Sequence, residues 1–325
     1  MKQHAFEIAH TATWERLDAQ LAALRTRRGA RRAEGLSELP DLYRQACHHF
    51  SLARTRGYSP QLQNRLHELI LRAHQHLYGQ PSQAWARRAV RFFIVGFPSA
   101  LRREWRLLLL ATLLLYLPAV VVGGLSYVQD DFVYSVLDAG QIASFEEMYN
   151  PARGALGRER EADTDFMMFG HYIQNNIGIG FRTFAGGILL GLGTVLALLV
   201  NGVYFGAVAG HLTRVGYGDP FWAFVATHGA LELTAITVTS VAGLKLAQAL
   251  LAPGAVPRAQ ALVGQAREAV PLVIGAVFML LGAAFIEAFW SSSTTVPAAT
   301  KYVVAAALWL TVVAYFVFMG RGRAA

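Results

Sequence analysis

Long apolar runs in the last two thirds of the chain restrict what it can fold into. Runs of about 20 residues recur between residues 107 and 319, and each is long enough to cross a bilayer core of about 30 Å. Charged residues make up only 15% of the chain, against about 25% in soluble domains. A run of this length satisfies its backbone polar groups in lipid as a helix. The sequence therefore predicts an all-α, polytopic membrane helical bundle with a small N-terminal cytoplasmic helical domain.

Six membrane segments are predicted within a transmembrane domain of residues 107–320. They are expected at about residues 107–127, 179–200, 202–214, 220–246, 269–290 and 302–319. A continuous helix over the second and third segments would measure roughly 50 Å, which is too long for a bilayer. We therefore expect a break at Asn201–Gly202. Six segments place Lys245, Arg258 and Arg267 in a cytoplasmic loop, as the positive-inside rule favours, whereas five crossings would place them outside.

Charge is distributed unevenly along the chain. Residues 1–106 carry 18 Lys/Arg and 8 Asp/Glu, whereas residues 128–176 carry 3 Arg and 9 acids. A basic region of this kind also occurs in nucleic-acid binders. Beside membrane segments it is more typical of the cytoplasmic side, so we expect no nucleic-acid partner. The N-terminus is therefore predicted to be cytoplasmic, and residues 128–176 are predicted to form an acidic extracytoplasmic insertion.

Helical periodicity predicts a cytoplasmic helical bundle over residues 1–82. Trp14, Leu17 and Leu21 recur at helical spacing, for example. Residues 83–106 have the pattern of a basic amphipathic helix at the headgroup layer, with packing on the bundle as the alternative. The lipid bilayer is thus an expected partner of this segment. Its expected membrane-surface anchors are Arg87, Arg88, Arg91, Arg102, Arg103 and Arg106.

Glycine is abundant in the run "GGILLGLGTVLALLVNGVYFGAVAG". Small residues allow helices to approach closely in lipid, either within one fold or across a dimer. The glycines expected at helix contacts are Gly187, Gly191, Gly202, Gly206 and Gly210. The same pattern suits the homodimer that we expect.

The stretch "THGALEL" places His228 and Glu232 inside an apolar run, one helical turn apart on the same face. Glu287 is a second acid within a predicted segment. Ionisable groups at membrane depth face the protein interior or a water-filled cavity, so we expect a polar cluster. Its predicted members are His228, Gly229, Glu232, Glu287, Asn201 and Arg182. We expect His228 to bond Glu287 or the Asn201 turn, and Gly229 to let a neighbouring helix approach.

Three interpretations of this cluster remain open. Glu232 and Glu287 bind a proton, a cation or a polar ligand in a pathway, or the cluster is a hydrogen-bonded lock between helices. Alternatively, His228 and the acids bind a metal for intramembrane hydrolysis. A catalytic zinc needs three ligands and an open position, and the sequence has no H-E-x-x-H motif. From the sequence we therefore assign no catalytic residue, no metal and no cofactor.

The segments "NNIGIGFRTFAGGILLGLGTVLALLVNGVYFG", "THGALELTAI" and "LLGAAFIEAF" resemble the stage II sporulation protein M family of bacterial inner-membrane proteins. The hallmarks of that family fall on Asn201–Gly202, His228–Gly229, Glu232 and Glu287. Thr227 stands where the family usually has proline. Upstream segments such as "LPDLYRQACHHFSLAR" resemble the cytoplasmic N-terminal region of the longer members.

The resemblance implies a multi-pass protein that acts in complexes. The sporulation member is linked to cell-wall remodelling during engulfment, but it is shorter and lacks the N-terminal region. Longer relatives are typically encoded beside MoxR-type AAA ATPases and von Willebrand factor A domain proteins, which are expected partners. No enzymatic activity is firmly attached to the family. We therefore expect a non-enzymatic scaffold or permease-like subunit of a cell-envelope complex. A transporter or channel using Glu232 and Glu287 is the alternative, and an intramembrane hydrolase is less favoured.

Overall fold

The computed structural model describes residues 2–24, 38–77, 82–153 and 165–321, and every regular element within these ranges is helical. The all-α fold class is therefore confirmed. The chain divides into two compact units, Met1–Val90 and Arg91–Ala325. This boundary falls inside the segment 83–106 that was predicted to be interfacial.

Three helices pack together in the described part of the first unit: α1 (Gln3–Leu24), α2 (Leu39–Thr55) and α3 (Pro60–Leu77). Their apolar faces bury one another because each helix repeats large hydrophobic residues at helical spacing. Large side chains of this core include Phe6, Trp14, Leu17, Leu21, Leu42, Tyr58, Leu66 and Leu69.

His49 belongs to this core although it is polar. Trp14 Nε1 donates a hydrogen bond of 3.1 Å to His49 Nδ1, and the His10 ring stacks on the His49 ring at 3.9 Å between centroids. Burial, together with the nearby His10 and His48, lowers the pKa of His49 to about 4. Its imidazole is therefore neutral near pH 7 and acts as an acceptor in an otherwise apolar core.

Two short helices precede the membrane bundle. Helix α4 (Ser82–Arg91) is followed by a π-helical turn, Phe92–Gly96, and by α5 (Phe97–Arg103). The predicted anchors differ in their surroundings. Arg87, Arg88, Arg91, Arg103 and Arg106 are exposed, whereas half-buried Arg102 donates to the carbonyl oxygen of Phe316 at 2.7 Å. Their role at a membrane surface stays a prediction.

Six long helices form the bundle of the second unit, and a short helix, α7 (Ala139–Tyr149), lies between the first two. The long helices are α6 (Trp105–Val128), α8 (Asp165–Ala185), α9 (Leu192–Arg214), α10 (Gly218–Leu251), α11 (Arg258–Ile286) and α12 (Ala298–Phe318). Within the described ranges, five of these helices, all except α8, are long and apolar enough to cross a membrane. The fourth of these spans consists of α11 and the turn that follows it.

Charged contacts define the two ends of this bundle. Lys245 donates to the carboxylates of Glu104 and Glu268, which brings the end of α10 beside the starts of α6 and α11; we call this the Lys245 end. Arg214, at the end of α9, pairs with Asp130 after α6; we call this the Arg214 end. The six helices therefore alternate in direction between the two ends.

The predicted break at Asn201–Gly202 is wrong. Helix α9 runs through it, because Asn201 Nδ2 donates to the Ala197 carbonyl at 2.7 Å within the same helix. The chain turns earlier, where Leu190 and Gly191 adopt positive φ angles of 53° and 85°. The predicted segment 179–200 is therefore the end of α8, a turn and the start of α9.

Close helix contacts in the bundle depend on glycine. A Cβ on any of three glycines of α9 would overlap a backbone carbonyl oxygen of α6. Gly187 abuts the Gly243 backbone of α10, and a Cβ on Gly191 would lie 2.9 Å from Ala247 Cβ. The three glycines of α9 are Gly202, Gly206 and Gly210. All five predicted glycines thus lie at contacts between elements of this chain.

The acidic insertion is shorter than predicted. Helix α7 begins at a capping box in which Asp138 Oδ1 accepts from the Gln141 amide at 2.9 Å. Residues 154–164 lie outside the described ranges. Helix α8 begins at Asp165, so the last dozen residues assigned to the insertion belong to the bundle, and Asn176 is 2% exposed. Polar side chains gave this half of α8 the composition of a loop.

Candidate functional site

A cavity of about 440 Å³, lined by apolar side chains and a set of polar ones, lies in the bundle, in the half nearer the Arg214 end. Its walls come from α6, α7, α8, α9, α10 and the π-helical turn Glu287–Ser291 that follows α11. The polar groups that its chemistry depends on are Asn175, Asn176, Asn201, His228, Glu232 and Glu287. A second depression, of about 630 Å³, lies at the Lys245 end, and none of the predicted cluster residues line it.

His228 is buried on α10 and held on both sides of its ring. Its Nδ1 is 3.0 Å from the Ser291 hydroxyl, and the Phe224 ring packs edge-on against it at 5.2 Å. Its Nε2 lies 3.9 Å from Glu232 Oε2. His228 therefore bonds a polar group on another segment, but that group is Ser291 and not Glu287 or the Asn201 turn.

Glu287 enters the cavity from the π-helical turn. Asn176 Nδ2 donates to Glu287 Oε2 at 3.3 Å, and Asn175 Nδ2 donates to Asn176 Oδ1 at 3.1 Å. We define the His/Glu cluster as His228, Glu232 and Glu287, because one side-chain N or O atom from each lies within 4.8 Å of the others. Two carboxylates this close in a buried site repel each other unless a proton or a cation lies between them.

Lys301, on α12, is fully buried and supports this turn. Its Nζ donates to the carbonyl oxygens of Ser291 at 2.6 Å and Ser293 at 2.7 Å. Thr227 Oγ1 in turn donates to the Lys301 carbonyl at 3.4 Å. The ammonium thus fixes the backbone of Ser291, whose hydroxyl positions His228.

Helix α7 closes the cavity at the Arg214 end. His211 Nε2 lies 2.7 Å from Glu146 Oε1, which ties α9 to α7. Tyr149 packs edge-on against Phe221 at 5.2 Å. Burial, with Glu287 nearby, raises the pKa of Tyr149 above its usual value, so this cavity-lining group is a neutral hydroxyl.

Three predicted cluster members lie in other surroundings than expected. Arg182 is exposed on α8 and does not line the cavity. Asn201 lines it, but its amide donates within α9. Gly229 does not receive a neighbouring helix, since a Cβ there would meet only the Val225 and Leu233 side chains of its own helix at 3.9 Å. Its missing side chain instead leaves space in the cavity wall.

The Ser291–His228 contact does not have the arrangement of a nucleophile and its base. Ser291 is fully buried and is not part of the cavity lining, so a solute in the cavity does not reach its hydroxyl. A serine nucleophile must be able to approach the reacting carbonyl. The hydroxyl therefore orients the imidazole.

Sequence reasoning missed four residues of this site: Asn175, Asn176, Ser291 and Lys301. The pair "NN" in α8 lay in the presumed insertion, and "SSS" after Trp290 has the composition of a loop. A lysine in the first turn of an apolar helix usually extends to the interface.

Comparison with known proteins places the bundle in a described family. Residues 111–292 match the family model of stage II sporulation protein M. Residues 4–79 match a domain of unknown function (DUF8413). No curated protein and no solved structure match the chain.

Proposed function

The chain belongs to the stage II sporulation protein M family, and we propose that it is a non-enzymatic, permease-like subunit of a cell-envelope complex in the bacterial inner membrane. Its cavity would receive a small polar or cationic solute. The observation that supports this is the placement of polar groups from four helices and a turn around a space of about 440 Å³. A lock between helices needs direct contacts and no such space.

The electrostatics of the cavity favour a cationic or hydrogen-bonding solute. Glu232 and Glu287 face the same space, and Asn175 adds further amide groups at its rim. The two carboxylates give the cavity an acidic lining, and this charge favours a cationic solute.

Cysteine accessibility tests whether the cavity admits solutes. In a Cys47→Ser background, Gly229→Cys is expected to react with a small charged thiol reagent because Gly229 borders the cavity. The matched control is Ala230→Cys, since Ala230 is buried like Gly229 but does not line the cavity, and it should not react. In proteoliposomes, proton or alkali-cation flux should fall strongly in Glu287→Gln. Equal protection of both cysteines, or flux no greater than in empty vesicles, would contradict the proposal.

We also propose that the N-terminal unit recruits a cytoplasmic partner, with MoxR-type AAA ATPases and von Willebrand factor A domain proteins as candidates from the family resemblance. Support comes from its separate helical core and from the basic character of residues 1–106. Affinity capture of the full chain should recover partners that are lost when residues 1–80 are deleted. Identical partner lists would argue against the recruiting role.

A homodimer also stays a prediction, which mass measurement in nanodiscs would test.

A further inference from the structure

We propose that the His/Glu cluster is a binding site for a divalent first-row transition-metal cation of the Zn²⁺ type. This inference rests on the proposed function, because it names the class of solute that the cavity receives. His228 and Glu232 supply ligands one turn apart on α10, and Glu287 supplies one from the turn after α11.

The distances suit a single ion. The candidate ligand atoms lie within 4.8 Å of one another. Zinc bonds to nitrogen and oxygen measure about 2.0–2.2 Å, so ligand atoms in a tetrahedral site are about 3.4 Å apart. Small rotations of the glutamate side chains, which both line the cavity, can close this difference. The fourth position would face the cavity.

Neighbouring groups already orient two of the three ligands. Ser291 engages His228 Nδ1, which leaves Nε2 as the nitrogen on the Glu232 side. Asn176 donates to one oxygen of Glu287 and so orients that carboxylate. Hydrogen bonds of this kind to ligating imidazoles and carboxylates are a regular feature of metal sites and fix the ring and carboxylate orientation.

The ligand set decides the class of cation. Carboxylates alone suit Mg²⁺ and Ca²⁺, but an imidazole ligand favours zinc and its first-row neighbours. A divalent cation would also neutralise the two carboxylates that share this buried space. A proton shared between the carboxylates is the competing explanation, and it predicts no metal binding.

Zinc binding by the full-length protein in nanodiscs tests the inference. After treatment with a chelator, the protein should bind one Zn²⁺ per chain, and a large excess of Mg²⁺ should not displace it. Glu232→Gln and Glu287→Gln should each remove this binding. Ser291→Ala should weaken it about 10–100-fold, as expected for a group that orients a ligand. X-ray absorption of the bound zinc should show one imidazole nitrogen.

A matched control is available at the Arg214 end of the bundle. His211 and Glu146 form another histidine–glutamate contact, with only two ligand groups, so His211→Asn should leave zinc binding unchanged. The inference is overturned if Glu287→Gln retains the bound zinc, or if His211→Asn loses as much as Glu287→Gln. Both variants should be shown to unfold at the wild-type temperature, so that lost binding is not lost folding.

The two proposals fail in different ways. Solute access at Gly229→Cys and cation flux without zinc binding would remove the metal site and leave the permease-like function. Zinc bound by the cluster, with Gly229→Cys unreactive, would support the metal site and remove the solute cavity.

Discussion

Replacing Lys301 with methionine is expected to lower the thermal-unfolding midpoint of the purified protein by several degrees. Methionine keeps the length of the side chain but has no donor, so the carbonyl oxygens of Ser291 and Ser293 lose their bonds to the ammonium. Charge-assisted hydrogen bonds contribute about 1.5–3 kcal/mol each, and removing a buried charge offsets part of that loss. A net cost of about 2 kcal/mol corresponds to roughly 4–8 °C in a domain of this size.

The same substitution should disturb the cavity. Ser291 would no longer be held at its backbone, and its hydroxyl is the group that positions His228 at 3.0 Å. Zinc affinity should therefore fall about tenfold or more in Lys301→Met, as for other losses of an orienting group. Tyr302→Phe is the control, because it removes one exposed hydrogen bond to the Asp219 carbonyl from the adjacent residue. The ammonium does not support the turn if Lys301→Met unfolds at the wild-type temperature. The same conclusion follows if its unfolding temperature is no lower than that of Tyr302→Phe.

Hydropathy predicts helices well where most of their surface faces lipid. Helices α6 and α12 have few buried residues, so nearly every position must be apolar, and their predicted segments agree closely with the structure. Helix α8 is different, because it carries Asn175 and Asn176 at the cavity and the exposed Arg182 elsewhere. From the sequence alone, a helix with this mixture of polar and apolar residues has the same pattern as a solvent-exposed loop.

The turn before α9 was misplaced for a related reason. A helix too long for the bilayer required a break, and Asn201–Gly202 was the most polar candidate. The structure satisfies the Asn201 amide within the helix and uses Gly202 for close packing against Leu115. The glycine-rich turn at Leu190 and Gly191 depends on backbone conformation, which hydropathy does not report.

The cost of burying charge predicts that His228 and Glu232 need partners but does not identify them. Many polar groups are compatible with that requirement. Ser291 was identified only when the π-helical turn placed it beside His228, and Lys301 only when its ammonium reached the same turn. The first contact joins residues 63 apart, and the second crosses the turn between two helices, so helical periodicity predicts neither of them.

Gly187→Ala is expected to destabilise the protein more than any other glycine-to-alanine substitution in the bundle. A Cβ at Gly187 would overlap the carbonyl oxygen and carbon of Gly243 on α10. Backbone atoms in a helix cannot rotate away as a side chain can, so the contact must open. We expect a cost of at least about 3 kcal/mol, at the upper end of the range for overpacking. Thermal unfolding in detergent, with the yield of monodisperse protein, measures it.

Gly124→Ala provides the matched control for this contact. Gly124 lies on α6, and a Cβ there would meet no atom within 4 Å, so alanine should be neutral or stabilise the helix by about 0.5–1 kcal/mol. The two substitutions add the same methyl group to a glycine of the same unit, and they differ in what the methyl meets. Equal unfolding temperatures for Gly187→Ala and Gly124→Ala would mean that the turn before α9 does not pack against α10. The route of the chain from α8 to α9 would then need revision.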